Sequence, residues 1–302
     1  MLERYEGDVK KKMLFMTRVK VNSGMVKDVE KSATKKYRDD KEGKTVSILS
    51  SKGGVGKTTI CVSLIDFLAQ KGFRITAVDA DVNAPNLAKW FDNISDWDKE
   101  GDIKIFPLPN VYKKCRDIKI LCDGTELPVE LEKRGDVYVK EKYTPSFANY
   151  SINLISGDIM KGKTGSGKVV EGTIKTSDDF DYDFRVIDSA PGTGYPVLTC
   201  IINSDYVVLV TEATSLGFED LKKLIGIVEK KGVPYGVVTN MDTDPEIANQ
   251  IRSYVGENYV SSLPYDETIP LALKKSLPPT RLESPSSKKL NEISEKIFSK
   301  IR

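Results

Sequence analysis

One segment, Ser50–Thr59 (SSKGGVGKTT), constrains the fold of this 302-residue chain more than any other. It follows the apolar run Thr45–Ser50 (TVSILS) and opens a helical pattern that reaches about Lys71. Glycines at 53, 54 and 56 let the backbone curl and turn its N–H groups inward. Such a turn at a helix N-terminus holds an anion, and a polyphosphate suits it best. In this reading the backbone of Gly53, Gly54, Val55 and Gly56 cradles phosphate, and Lys57 reaches the outer phosphate oxygens. Thr58 sets its hydroxyl on Mg²⁺, and Thr59 contacts an inner phosphate. Strand, glycine turn, Lys-Thr and helix together are far more specific than a glycine-rich turn alone.

The rest of the chain fits a sheet built around that turn. Arg74–Asp79, Ser151–Ile155, Phe184–Asp188, Tyr206–Val210 and Tyr235–Thr239 are short runs rich in Val and Ile. Runs of this kind read as parallel strands covered on both faces. Helical patterns such as Gly217–Lys231 and Pro245–Val255 lie between them. The alternation predicts a doubly wound α/β fold, a mainly parallel sheet with helices on both faces. The rhythm breaks over about 92–150, which reads as an inserted, β-rich subdomain. The glycine-rich stretch 157–168 (GDIMKGKTGSGK) reads as a mobile loop rather than a second phosphate loop.

Carboxylates stand where such a sheet places its ligands, at strand C-termini. Asp79 ends one strand and Asp81 follows it. Asp188 ends the run FRVID and is placed to hold Mg²⁺, through water. Asn240 follows the strand GVVT, where its amide can pair with the N6 and N7 edge of adenine. The nearby Asp242 also resembles a guanine-reading pattern, so spacing alone leaves the base open.

The turn departs from the common GxxxxGK[ST] pattern, with Ser51 at its first position and Lys52 next to it. Two lysines bracketing the loop, KGGVGKT, resemble the deviant Walker A motif of the MinD/ParA/Mrp superfamily of P-loop ATPases. DADVNAPNL, the GSGK at 165–168, VIDSAPGTGYPV, VTEATSLGFEDL and PYDETIP look most like a MinD-like subgroup that usually carries an inserted ferredoxin domain. The resemblance covers residues 45–285. It implies ATP and Mg²⁺ as cofactors and a homodimer that closes around two nucleotides. It implies that Lys52 acts across that dimer, much as an arginine finger does. It gives Asp81 the water-orienting role, Asp79 support of Mg²⁺ through water, and Asn83 a phosphate or subunit contact. Ala190-Pro191-Gly192 matches a γ-phosphate-sensing segment, and Asn240, Pro264 and Asp266 match the base site.

Other features narrow the function. There is no histidine, which excludes Ser-His-Asp and Cys-His nucleophiles and histidine-ligated metals. The four cysteines, Cys61, Cys115, Cys122 and Cys200, form no CxxC pair. Two of them, Cys115 and Cys122, fall where the ferredoxin insertion would lie, and two thiolates do not ligate a four-iron cluster. No iron–sulfur cluster is therefore expected. No run is apolar enough to cross a membrane and the start is no signal peptide, so a cytoplasmic protein is expected. Residues 1–44 hold 13 Lys+Arg and 8 Asp+Glu, a net of +5. They read as a solvated extension or as a basic arm for an acidic partner. Near the end, Leu290, Ile293, Ile297, Phe298 and Ile301 form an apolar stripe with lysines beside it. It reads as a core helix or as a peripheral membrane helix. Three classes follow: a dimeric switch ATPase acting on a partner, membrane or DNA; a scaffold for metal-centre assembly; or a binding module with little turnover.

Overall fold

The sequence rhythm resolves into one nine-stranded sheet, ordered β3-β4-β5-β2-β6-β1-β7-β8-β9. The structure, a computed structural model, describes residues 43–92, 103–122, 125–242 and 244–302, with 103–122 and 125–134 described through their backbone. The basic segment 1–44 lies outside the described residues apart from its last two. The strands are β1 (Lys44–Leu49), β2 (Ile75–Ala80), β3 (Ile103–Cys122), β4 (Thr125–Tyr143), β5 (Ile152–Ile159), β6 (Phe184–Ser189), β7 (Tyr206–Glu212), β8 (Tyr235–Asn240) and β9 (Tyr259–Leu263). The helices are α1 (Lys57–Gln70), α2 (Ser166–Thr176), α3 (Tyr195–Ile202), α4 (Ser215–Lys231), α5 (Pro245–Val255), α6 (Thr268–Lys274) and α7 (Pro285–Ile301).

From β5 to β9 every neighbouring pair is parallel. The hairpin β3–β4 adds to the β5 edge in antiparallel sense. The central strands β1, β2 and β6 are buried nearly end to end, which parallel strands covered on both faces require. One face packs under α1 and α7, the other under α2 to α5, so the sheet is doubly wound as expected. Burial, rather than helix propensity, holds these helices. Residues 43–302 form one compact unit.

Two expectations change here. The stretch 157–168 is not one loop: Gly157–Ile159 continue β5, and Ser166 already opens α2. The apolar stripe of α7 is committed to the core, with Leu290, Ile293, Ile297, Phe298 and Ile301 all buried. That removes the surface a membrane helix needs. Its start is fixed by Ser284, whose side chain accepts from Ser287 N. No helix among the described residues is long and apolar enough to cross a membrane.

Candidate functional site

The site forms where β1, β2, β6 and β8 end together. The Ser50–Gly56 turn leads from β1 into α1. Gly54 and Gly56 sit at φ of +80° and +89°, the left-handed region that favours glycine. Gly56 has a second reason: a methyl there would strike the Asn240 amide. The turn is held from within by Ser50, whose hydroxyl donates to Lys52 O at 2.6 Å. It is held from outside by Gly192 N, which donates to Ser50 O at 2.9 Å. Gly192 (φ +112°) thus hooks the segment after β6 onto the base of the turn.

The first turn of α1 has neither a side-chain cap nor an acidic residue. Its N–H groups keep their positive end open toward the turn. Lys57 and Val55 are buried and Thr58 is half-buried. Lys57 makes no ion pair among the described residues. A buried ammonium at a helix N-terminus favours anions beside it.

Three carboxylates face this ammonium or one another. Asp188, on β6, is 1% exposed. Thr58 Oγ1 donates to its Oδ2 at 2.6 Å. Its Oδ1 is buried without a hydrogen-bond partner. Burial pushes the Asp188 carboxyl up to about 6; Lys57 and Thr58 hold it back and Asp81 pushes it further. Asp79 stands beside it in the β2–β6 register. Burial and then Asp188 raise Asp79 well above the usual carboxylate range. Asp81 is half-buried; burial raises its carboxyl while Lys57 pulls it down. A lone orphaned oxygen beside a hydroxyl fits a hard divalent cation. Thr58 and Asp188 are the candidate ligands for Mg²⁺.

Several expected residues have other work here. Both Asp79 oxygens accept backbone N–H groups: Oδ1 from Asp81, and Oδ2 from Asn86 and Leu87, both at 2.8 Å. Asp79 therefore shapes the loop that carries Asp81. Asn240 is 3% exposed, and its Nδ2 donates to Val55 O at 2.9 Å. Its amide ties β8 to the phosphate turn, which works against a free two-point reading of adenine. Asp266 Oδ1 accepts from Thr268 N at 2.8 Å, and bonds from Ser286 and Thr268 lower its carboxyl. It holds the first N–H of α6. Pro264 is exposed just beyond Leu263, which neighbours Asn240 in the β8–β9 register. Asn83 is exposed, and Gly53 and Thr59 stay within the turn and the first turn of α1.

Lys52 is not directed at its own chain's Asp188. Its Nζ lies 3.5 Å from Asp220 Oδ2 on α4. Asp220 was not legible as a site residue, because only the fold brings α4 beside the turn. Cys61 and Cys200 are buried free thiols in the core. The side chains of Cys115 and Cys122 lie outside the described residues. Among the described residues, no group of three or more Cys, Asp or Glu is placed to hold a metal ion by itself.

Comparison with known proteins agrees with the fold. An iron–sulfur cluster carrier protein of Pyrococcus furiosus is 27% identical over 293 residues, covering 88% of this chain and 90% of its own. The cell division ATPase MinD of Pyrococcus furiosus shares the fold, with a TM-score of 0.57 at 20% identity over 85% of this chain and 99% of its own. The septum site-determining protein MinD of Pyrococcus horikoshii, solved with Mg-ADP, has the same TM-score and identity over 84% and 96%. Residues 46–279 match the CobQ/CobB/MinD/ParA nucleotide binding domain, and the chain belongs to that family.

Proposed function

We propose that this protein is a Mg²⁺-dependent ATP-binding switch, a slow ATPase whose two copies close around nucleotide and act on a partner. The observation that carries the reading is Asp188: a buried carboxylate with one oxygen on Thr58 and the other without a partner, beside the uncapped start of α1. Bound Mg²⁺ supplies positive charge at the phosphate oxygens. The chain supplies the rest. Backbone N–H groups from Gly53 to Thr59 bind the phosphates, and Lys57 neutralises the outer ones. Asp81 orients the attacking water. Lys52 completes the charge from the other copy, and Gly192 links the γ-phosphate position to the segment after β6. In the same reading residues 45–302 are the nucleotide-binding domain, 1–44 a basic extension and about 92–150 an insertion. The output is a change of assembly, which positions, partitions or assembles a partner protein, a DNA or a membrane surface, in the cytoplasm.

Binding is tested first, by titrating a fluorescent ADP with and without Mg²⁺. Saturable binding strengthened by Mg²⁺ supports the reading; no binding at millimolar nucleotide removes it.

A second reading, carriage of an iron–sulfur cluster, rests on the name of the Pyrococcus furiosus relative. Cys115 and Cys122 of two copies would together give four thiolates. Anaerobic reconstitution followed by iron analysis tests it: iron bound by wild type and lost in Cys115→Ala/Cys122→Ala supports carriage.

A further inference from the structure

Helix α2 touches three separate parts of the molecule, each through a glycine. At its start, Gly167 lies against the ring of Tyr195; a methyl at 167 would overlap that ring. Tyr195 is the first residue of α3, directly after the 190–194 segment whose Gly192 is hooked to Ser50. In its middle, Thr173 packs over Gly157 of β5, where a methyl would strike Thr173 and come within 2.8 Å of Val82 Cγ1. Val82 adjoins Asp81, and its carbonyl accepts from Ile159 N at 2.9 Å. On its underside, Val169 Cγ1 lies 3.2 Å from the position a methyl would take on Gly135.

Gly135 is a junction. It pairs with Ile159 of β5 on one side and Leu108 of β3 on the other. The hairpin register slips between Leu108 and Pro109, directly beyond it. From there residues 109–122 and 125–134 run as a two-stranded ribbon with no further pairing to β5 among the described residues. The helix thus rests on both segments that flank the phosphate site and on the root of the ribbon. Contacts this close leave no slack: interiors shift between discrete packings rather than deform smoothly.

We propose that α2 is a lever that carries the state of the nucleotide site to this ribbon, with Tyr195 as its positioning residue. The proposal rests on the nucleotide reading above. Movement of 190–194 displaces Tyr195, which displaces the start of α2 through Gly167. Val169 then shifts Gly135 and re-aims the ribbon. Tyr195 is 54% exposed, so shortening it removes the contact without opening the core.

The test is hydrogen exchange on the full chain, with and without Mg²⁺ and a non-hydrolysable ATP analogue. Wild type, Tyr195→Ala and Val169→Ala are compared. In wild type, nucleotide slows exchange over 50–59 and changes it over the ribbon, 109–122 and 125–134. In Tyr195→Ala the 50–59 response stays, while the ribbon response falls by roughly threefold or more. In Val169→Ala the response at 166–170 stays and that of the ribbon falls. A ribbon response unchanged in Tyr195→Ala overturns the lever, as does its absence in wild type with 50–59 protected. Absence of any response at 50–59 overturns the nucleotide reading and the lever with it.

Discussion

Thr58 Oγ1 donates to Asp188 Oδ2 at 2.6 Å, and this single bond leaves the other Asp188 oxygen buried and alone. A carboxylate so placed holds its proton to a higher pH than an exposed one. The site is therefore electrostatically unfinished, as a binding centre is and a packed core is not.

The first prediction concerns stability against pH without nucleotide or metal. The folded-state carboxyl of Asp188 is raised to about 6 from an ordinary 3.8. A raised group contributes stability fully below the ordinary value and loses it as pH rises through about 6. Asn at 188 cannot ionise. Asp188→Asn is therefore more stable than wild type at pH 8, by about 2–3 kcal/mol at most. The gap closes as pH falls toward 4. Thermal melts across that range check it, and a gap that widens on acidification contradicts it.

The same variant separates binding from stability. Mg²⁺ tightens nucleotide binding to wild type by about tenfold or more, because Asp188 and Thr58 share the cation. In Asp188→Asn that enhancement drops below about twofold, while metal-free affinity changes little. Paired titrations with Mg²⁺ and with EDTA give the numbers. An undiminished Mg²⁺ effect would remove Asp188 from the metal site.

Asn240 supplies a third test. Its bond to the Val55 carbonyl holds the phosphate turn against β8. Asn240→Ala leaves that carbonyl unpaired and costs about 1–3 kcal/mol in urea unfolding. Asn240→Asp costs more, since it sets a carboxylate against a carbonyl. If the tie is its main work, ATP and GTP affinities fall together in Asn240→Ala. A selective loss of ATP would restore the residue to base recognition.

How far the sequence foretold this structure depended on how local each feature is. The phosphate turn was legible because strand, glycines, Lys-Thr and helix are contiguous. Asp188 was legible because a buried strand announces its own end. The bond from Asn240 to Val55 joins residues 185 apart, so nothing near either residue signals it. Asp79 announced a strand end, but its partners are N–H groups seven and eight residues on, in a loop with no periodic pattern. Gly157 reads as part of a loop, but it is glycine because Thr173 of α2 packs directly on it in β5.

A fourth prediction addresses the anchor of α1. Asp66 is fully buried and accepts from Arg281, Tyr150, Thr280 and Gln70. Its pair with Arg281 Nη2, at 2.7 Å, joins α1 to the turn before α7. Arg281→Ala leaves a buried carboxylate without its counter-charge and costs about 3–5 kcal/mol. Arg281→Lys restores charge but not the two-nitrogen fit, and recovers part of that loss. Denaturant midpoints rank the three proteins.

The last prediction is about Lys52, whose lone ionic contact among the described residues of its own chain is loose. The Asp220 carboxylate at 3.5 Å also holds Lys223 at 2.9 Å, so Lys52 is weakly retained. Lys52→Ala therefore leaves nucleotide affinity within about threefold, since its charge acts from the other copy. The variant loses the dimer that wild type forms with Mg·ATP. Asp81→Ala keeps that dimer and holds it, because water is no longer oriented for hydrolysis. Asp220→Ala leaves dimer formation close to wild type, since a solvent-screened pair is no lock. Mass by light scattering, with and without Mg·ATP, reads all four proteins. A mass that stays monomeric in every case would sink the closing mechanism and leave a nucleotide-binding module whose partner supplies the missing charge.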